Sequence, residues 1–331
     1  MIRKLAKLSK DVFKKEIEKK SSRDGYGEGL VEAGEKDENV VVLCADLTES
    51  TRSHLFQDKF PERFIEVGVA EQALATIASG MANYGKIPFI SSYAAFSPGR
   101  NWEQIRTTIC LNDVPVKIAG SHTGVSVGPD GANHQMLEDI ALMRVLPNMI
   151  VIAPADVIET KKAIVEVAKN GKPTYIRFSR KETPVFTTEN SPFKIGRVES
   201  LWETKNPQVA IIVCGSLAYE ALLAAKELEK SKIETLVINC HTIKPLDEQA
   251  IIRAAKTTGA VVTVEEHQVT GGLGGAVSEV LAKNFPVPMG FVGMNDSFGE
   301  SGKPNELLAK YKMKSVDIAR AVKRVIKLKT S

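Results

Sequence analysis

The sequence alternates short apolar runs with longer segments that could form amphipathic helices, and no other feature limits the possible folds as strongly. In the first half, five runs of apolar and β-branched residues lie at 39–45, 87–92, 114–120, 149–154 and 173–179. Strands that are apolar throughout must be covered on both faces of their sheet. Their alternation with helices therefore predicts a parallel α/β sheet with helices on both sides.

The alternation pauses at residues 180–206, which are rich in proline, threonine and charge, and then resumes with "QVAIIVCG", "IETLVINC" and "AVVTVEE". A chain of 331 residues is long enough for two domains. We therefore predict an α/β protein of two domains, each a mostly parallel sheet flanked by helices. The predicted parts are a basic N-terminal helix or extension at 1–20, a first domain at 21–180, a linker at 181–206 and a second domain at 207–328.

Charge and cysteine content argue against several classes of function. The 44 basic and 40 acidic residues are too evenly balanced for a dedicated nucleic-acid or membrane binder. Cys44, Cys110, Cys214 and Cys240 lack the spacing of a zinc cluster or a disulfide framework. Neither a run of about 18 apolar residues nor a secretory signal is apparent. We predict a cytoplasmic protein with no metal ligands of its own.

Common phosphate-binding motifs do not explain the chain. It has no GxxxxGK[ST] sequence and no GxGxxG after a first strand, and the "GGLGG" at 271–275 is typical of a tight turn between strand and helix. Polar residues are instead concentrated where predicted strands end, and parallel sheets bind ligands at that edge. They occur in "ADLTES" (45–50), "GSHTGVSVGPDGANHQ" (120–135) and "RFSR" (177–180), while Glu71 begins an alanine-rich helix.

These segments, in this order, resemble transketolase. "ADLTES", "VGVAEQALATIASGMA", "PFISSYAAF", "GSHTGVSVGPDGANHQ", "LPNMIVIAPAD" and "YIRFSR" are similar to the family's pyrimidine-binding domain, and "EEHQVTGGLG" is similar to its C-terminal domain. The resemblance extends over roughly residues 20 to 325. It implies thiamine diphosphate as the cofactor and transfer of a two-carbon ketol unit from a ketose phosphate to an aldose phosphate, as in the pentose phosphate pathway.

The resemblance also implies roles at the cofactor. Glu71 would bind the ring nitrogen of the aminopyrimidine, so that the cofactor's own exocyclic nitrogen becomes the base. Tyr93 and Phe96 would form an aromatic wall against that ring, and Asp46 would be a further acid of the cofactor site. Simpler alternatives stay open, namely a helix-dipole contact for Glu71, strand-end packing for the aromatic pair and an Asx turn for Asp46.

Further residues match positions at which the family holds its substrate. The resemblance assigns the sugar phosphate to Arg23, Ser50, His122 and Arg180, because arginine and histidine donors suit an anion. Asp130 would accept a hydrogen bond from an acceptor hydroxyl, and His134 would act catalytically near the reacting carbons. Surface salt bridges and incidental loop histidines are the alternatives.

One departure from the family concerns the other end of the cofactor. Transketolases carry a diphosphate-binding domain with a GDG run followed by an asparagine, and this sequence has no such run. We therefore predict the C-terminal half of a split transketolase. A separate N-terminal subunit would hold most of the diphosphate and Mg²⁺, in an α2β2 heterotetramer that includes self-dimerisation. The basic N-terminal residues are a candidate contact to that partner, and a solvated, frayed chain end is the alternative.

Two other hypotheses remain. The chain could be half of another thiamine-dependent enzyme, such as a deoxyxylulose-phosphate synthase or the β subunit of a ketoacid dehydrogenase. "GSHTGV" and "ADLTES" argue against this, since the synthase resembles "DRAG" where His122 lies. It could also be a non-catalytic assembly subunit, which would have no need of Glu71, His122 and His134.

Overall fold

The structure is a computed structural model, and it describes residues 1–329. The strands are β1 (Lys19–Ser21), β2 (Val40–Cys44), β3 (Phe64–Glu66), β4 (Ile87–Tyr93), β5 (Lys117–Ser121), β6 (Ile150–Ile152), β7 (Thr174–Arg177), β8 (Glu182–Pro184), β9 (Glu199–Glu203), β10 (Val209–Val213), β11 (Thr235–Asn239), β12 (Thr242–Lys244), β13 (Val261–Gln268) and β14 (Met289–Met294). The apolar runs thus became strands close to their predicted positions.

The α-helices are α1 (Ser22–Lys36), α2 (Thr48–Thr51), α3 (His54–Lys59), α4 (Glu71–Asn83), α5 (Trp102–Gln104), α6 (Asp139–Arg144), α7 (Val157–Val167), α8 (Ala218–Lys230), α9 (Glu248–Thr258), α10 (Leu273–Asn284), α11 (Pro304–Lys310) and α12 (Ser315–Lys329). Helix α5 continues as a π-helix over Ile105–Cys110. Short 3-10 helices lie at Lys4–Ala6, Pro61–Arg63, Val125–Val127 and Gly215–Leu217. Within the described residues, no helix combines the length and apolar character of a membrane span.

Two sheets organise the molecule and confirm the predicted α/β class. The larger sheet has the strand order β12-β6-β7-β5-β4-β2-β3, and its pairs are parallel except β12 with β6. The smaller sheet has the order β14-β13-β10-β11-β9, with only β9 antiparallel to its neighbour. Strands β2, β5 and β10 are buried along their whole length, as expected for sheets covered on both faces.

The two halves of the chain share structure. Strand β12 comes after the smaller sheet has begun, yet it extends the edge of the larger sheet through β6. One continuous apolar core contains Leu74 and Ile118 from the first half together with Ile212, Ile243 and Val277 from the second. The two sheets therefore pack on common side chains.

The segment predicted as a linker, 181–206, contains two short strands. Strand β8 pairs antiparallel with β1, and β9 forms the edge of the smaller sheet. Leu201 and Trp202 of β9 are buried between more exposed neighbours. Two apolar residues next to each other do not produce the alternating signal by which a strand is recognised from sequence.

Residues 1–20, predicted as a basic N-terminal helix or extension, contain no long helix. Their helical part is a single 3-10 turn at Lys4–Ala6, and the rest is irregular up to β1. The main-chain N–H of Arg3 donates to the carbonyl of Leu201 (3.0 Å), and the rings of Phe13 and Trp202 meet edge to face at 6.0 Å. Val12 is buried. Packing against the smaller sheet thus outweighed the helix propensity of a lysine-rich segment.

Candidate active site

The carboxyl edge of the larger sheet gathers the residues predicted to form the site. Strands β2, β4, β5 and β7 are parallel, so their ends meet at one edge. The predicted residues follow these strand ends or begin the helices beside them. In sequence order, these predicted residues are Arg23, Asp46, Ser50, Glu71, Tyr93, Phe96, His122, Asp130, His134 and Arg180.

Glu71 is the first residue of α4, and its side chain is only 1% exposed. One carboxylate oxygen, Oε1, accepts a hydrogen bond from Ser92 Oγ at 3.2 Å, and Oε2 pairs with Arg100 Nη1 at 2.8 Å. The amide of Asn101 donates to the main-chain carbonyl of Glu71 at 2.8 Å. The acid is thus held in one orientation at the positive end of a helix.

Arg100 joins this acid to the neighbouring aromatic residues. Its side chain is 49% exposed, and the guanidinium carbon lies 4.9 Å from the centre of the Phe96 ring. Neither Arg100 nor Ser92 was predicted from the sequence. Arg100 follows Phe96 by four residues in the loop after β4, and this proximity was the available signal. Ser92 precedes Tyr93 inside a strand, where a serine gives no such signal.

Four rings form an aromatic cluster, which we define as Tyr93, Phe96, His122 and His134. The Tyr93 ring stacks on the His122 ring with centroids 3.8 Å apart, and it lies nearly parallel to the Phe96 ring at 6.1 Å. The His134 ring meets Phe96 edge-on at 5.4 Å and Tyr93 at 6.0 Å. Phe96 and His134, 38 positions apart in the sequence, are therefore in ring contact.

His122 is a neutral residue in this setting. It is 1% exposed and adopts a left-handed backbone conformation with φ of 59°. Burial lowers its imidazole pKa to about 3, and the charges of Arg23, Arg180 and His134 act in the same direction. Its Nδ1 lies 2.8 Å from Ser121 Oγ. If the serine hydroxyl donates to Nδ1, Nε2 carries the proton and is a hydrogen-bond donor.

Two arginines lie near the neutral His122, and we call Arg23, His122 and Arg180 the cationic cluster. Arg23 Nη1 donates to the carbonyl of Ser50 at 3.0 Å, and its Nε is buried without a hydrogen-bond partner within residues 1–329. Burial lowers the pKa of Arg23, and the charges of Arg52 and Arg180 contribute. Arg180 Nη1 donates to the carbonyl of Val127 at 3.2 Å. A buried guanidinium nitrogen with a free donor suits an anion.

The remaining predicted residues differ in how they join the site. Asp130 lies 3.8 Å from Arg180 as an ion pair, and Ser50 contributes its carbonyl oxygen. Asp46 is exposed and left-handed, with φ of 57°, and its main-chain N–H donates to Glu66 Oε1 at 2.7 Å. Glu66 also accepts from Thr48 Oγ1 at 2.9 Å, and no motif in the sequence singles it out. Asp46 thus contacts Glu66, whereas Glu71 contacts Ser92 and Arg100.

Metal ligands are not gathered in this chain as far as the structure describes it. Among residues 1–329, no three or more His, Cys, Asp or Glu side chains are arranged to hold a metal ion. All four cysteines are free and buried.

Two family models match the chain. Residues 18–185 match the transketolase pyrimidine-binding domain, and residues 199–318 match the transketolase C-terminal domain. Together they account for most of the sequence, and they confirm the resemblance read from its motifs.

Individual relatives agree with this. A putative transketolase C-terminal section from Methanocaldococcus jannaschii is 44% identical over 93% of this chain and 97% of its own length. A 6-deoxy-6-sulfo-D-fructose transketolase subunit SqwH from Clostridium sp. is 38% identical over 96% and 98%. Human transketolase is 37% identical over 93% of this chain, which spans 49% of the human protein.

Solved structures share the fold. One described as "Split gene transketolase, inactive beta4 tetramer" has a TM-score of 0.87 and 44% identity, and the match covers 93% of this chain and 99% of that one. Campylobacter jejuni transketolase has the same fold with a TM-score of 0.80 at 23% identity, over 95% of this chain and 50% of that one. The chain therefore belongs to the transketolase family and corresponds to its C-terminal section, the pyrimidine-binding and C-terminal domains.

Proposed function

We propose that this chain is the C-terminal subunit of a thiamine-diphosphate-dependent transketolase. It acts with a separate N-terminal subunit and transfers a two-carbon ketol unit from a ketose phosphate to an aldose phosphate. The observation that carries this proposal is the buried carboxylate of Glu71, which Ser92 and Arg100 hold beside an aromatic cluster. A structural role alone would not require a buried acid whose counter-ion is half exposed.

The side chains present fit the pyrimidine end of thiamine diphosphate. Glu71 would accept a hydrogen bond from a protonated ring nitrogen of the pyrimidine and so favour the form of the ring that carries a proton on that nitrogen. Its Oε1 can accept this bond because its hydrogen bond from Ser92 is single and rather long. Tyr93 and Phe96 would flank the ring, and Asp46 would lie at the edge of the site. When bound, the cofactor supplies an electron sink for the two-carbon unit.

The cationic cluster is the proposed site of the substrate's anionic group. Arg23, His122 and Arg180 would donate to it, with Ser50 alongside, and the unpartnered Nε of Arg23 would gain a hydrogen bond. His134, whose ring meets Phe96 edge-on, would donate to an oxygen that gains negative charge during transfer. Asp130 would accept from a sugar hydroxyl and help to orient Arg180.

The anion could be a sulfonate as well as a phosphate. The Clostridium relative is named for a 6-deoxy-6-sulfo-D-fructose substrate, and a sulfonate would use the same donors as a phosphate. We propose sugar phosphates as the substrates of this chain. Fructose 6-phosphate and 6-deoxy-6-sulfofructose should be compared directly.

We propose that the partner subunit holds the diphosphate and most ligands of Mg²⁺. This rests on the absence of a metal-ligand cluster within residues 1–329 and on the chain's match to about half of a full-length transketolase. The tetramer of the similar split-gene chain is described as inactive, which supports an α2β2 assembly as the working enzyme. Buried free cysteines fit a reducing, cytoplasmic location.

The test is a coupled ketol-transfer assay with Mg²⁺, thiamine diphosphate, a ketose phosphate and an aldose phosphate. We expect turnover only when both subunits are present. Glu71→Gln should lower turnover by about 100-fold or more, because a neutral amide cannot stabilise the proton on the ring nitrogen of the cofactor. Glu103→Gln, an exposed acid on α5, is the matched control and should keep parental turnover.

Each competing function predicts a different result. Activity of the chain alone would refute the split-enzyme proposal. Turnover with pyruvate and glyceraldehyde 3-phosphate, but none with two sugar phosphates, would favour the synthase. A mixture inactive with every donor, in which the chain only stabilises its partner, would favour an assembly subunit.

A further inference from the structure

A cavity lies where the N-terminal segment meets both halves of the chain. Its volume is about 610 Å³, within the range of small-molecule sites. It is lined by Lys15 and Lys19 from the N-terminal segment, by Lys181 after β7 and by Lys314 before α12. None of its lining residues belongs to the site proposed above.

Positive charge exceeds negative charge on this lining. Four lysines face two glutamates, Glu182 and Glu220, which leaves an excess of two positive charges. Glu220 is already engaged, because it pairs with Lys314 and accepts from the main-chain N–H of Ser315 at 2.8 Å. Lys15 and Lys19 have no ion-pair partner among residues 1–329. An anion would relieve the repulsion between these ammonium groups.

Lys181 lies among charged groups of both signs. It is half-buried, and its ammonium donates to Asn305 Oδ1 at 2.6 Å. Burial is the main cause that lowers the pKa of Lys181; Glu266 and Glu220 act to raise it, and Lys314 and Lys19 act to lower it. The positive groups around the cavity are therefore close enough to act on one another.

A buried hydroxyl on the same lining has no partner. Ser126 is 2% exposed, and its Oγ makes no hydrogen bond within the described part of the chain. Its main-chain N–H donates to Glu266 Oε1 at 2.6 Å, which fixes the residue in the 3-10 turn Val125–Val127. A buried hydroxyl without a partner costs free energy that a ligand acceptor would recover.

The remaining wall is largely apolar. Ile17, Tyr219, Leu223 and Leu308 line it. We propose that this cavity binds a small organic phosphate, with its phosphate group among the four lysines and Ser126 and its apolar body against Tyr219 and Leu308. Free inorganic phosphate would use the charged part alone and leave the apolar wall uncovered, so the organic ester should bind more tightly.

This cavity adjoins the cationic cluster along the chain. Lys181 follows Arg180, and Ser126 precedes Val127, whose carbonyl accepts from Arg180. A phosphate probe will therefore meet two sets of donors, and the experiment must separate them.

The probe is phenyl phosphate, titrated into the full chain by calorimetry and located by hydrogen–deuterium exchange. We expect slower exchange in residues 15–19, 216–223 and 304–314, and weaker binding of inorganic phosphate than of phenyl phosphate.

The double variant Lys15→Gln/Lys19→Gln should bind phenyl phosphate about tenfold more weakly, because two charge-assisted donors are lost. Both lysines are exposed, so the protein should still fold. Lys4→Gln/Lys10→Gln, with the same charge change on the same segment, should bind like the parent.

Two single variants separate the cavity from the cationic cluster. Ser126→Ala should weaken binding about fivefold, the value of one neutral hydrogen bond. Arg23→Gln should leave the exchange protection at 216–223 unchanged. The proposal is overturned if phenyl phosphate does not bind, if protection is confined to the segments around Arg23 and His122, if the Lys15/Lys19 variant binds like the parent, or if benzyl alcohol binds equally well.

Discussion

At the scale of single residues, Arg100 is the ion-pair partner of the buried carboxylate of Glu71. Glu71 is 1% exposed, whereas the arginine is 49% exposed, so solvent screens part of the attraction. Arg100→Gln should therefore lower the free energy of unfolding by about 1–2 kcal/mol, less than a fully buried pair would lose. Urea unfolding measures this.

Arg106→Gln is the matched control for Arg100. Arg106 is an exposed arginine in the π-helix that follows α5, so its substitution removes the same charge near the same place. We expect a change within about 0.5 kcal/mol. Equal losses for the two variants would mean that the pair with Glu71 contributes nothing.

His122 should not gain a proton across the physiological range. The pKa of His122 is about 3 in the folded protein and has its ordinary value of 6.5 in the unfolded chain. Between these two pH values the unfolded chain binds a proton at His122 and the folded protein does not. The stability that this contributes is present above about pH 6.5 and is lost as the pH falls towards 3. Nitrogen-15 NMR of the imidazole, assigned with His122→Gln, should show a neutral ring throughout; titration near its ordinary pKa would contradict the predicted environment.

At the scale of elements, Glu159 links helix α7 to strand β11 of the other sheet. It is fully buried, its Oε2 accepts from the N–H of Ala155 at 2.6 Å, and its Oε1 accepts from Asn239 Nδ2 at 2.8 Å. Burial raises its pKa to about 8, with a further contribution from Asp156. Asn239 Oδ1 is buried without a partner in the described residues, so a rotated amide could accept from a protonated Glu159.

The pH dependence of stability should reveal this contact. The folded protein keeps a proton on Glu159 that the unfolded chain releases above its ordinary pKa of 4.5, so this residue lowers stability as the pH rises from 4.5 towards 8. The glutamine in Glu159→Gln cannot ionise. The free energy of unfolding of this variant should therefore fall less steeply with rising pH than that of the parent, and the two slopes should differ by up to about 1 kcal/mol per pH unit. Glu166→Gln, a partly exposed acid on the same helix, should keep the parental slope. Parallel profiles for all three proteins would remove the basis for a protonated Glu159.

At the scale of the whole molecule, the two sheets should unfold together, because β12 and the common core join them. Ile243 lies in β12 and is 2% exposed, so Ile243→Ala should cost about 2–5 kcal/mol. The chain has two tryptophans, Trp102 beside the common core and Trp202 in the smaller sheet's other core. Fluorescence in Trp102→Phe and Trp202→Phe backgrounds therefore reports each half separately.

We expect the same midpoint from both tryptophans, and Ile243→Ala should shift the two midpoints equally. Ile77→Ala, which changes an isoleucine that is 41% exposed on α4, should shift neither by much. Two separate transitions, or a shift seen by Trp102 alone, would mean that the halves fold independently.

Much of the architecture could be predicted from local pattern. The runs at 39–45 and 87–92 became Val40–Cys44 and Ile87–Tyr93, because an apolar run of that length is buried as a strand wherever it packs. The motif order was sufficient to recognise the family, and the parallel arrangement explains why those motifs share one edge. The roles assigned to Glu71, His122 and the other site residues stay predictions.

The sequence by itself determined the α/β class, the positions of the main apolar strands and their common edge, since these depend on how apolar and polar residues repeat over a few positions. Only the tertiary structure decided that Arg100 and Ser92 hold Glu71, that β12 joins the first sheet and that residues 1–18 pack without a long helix. Such contacts join segments far apart in the chain. They depend on packing energies between those segments, which the local sequence pattern does not reveal.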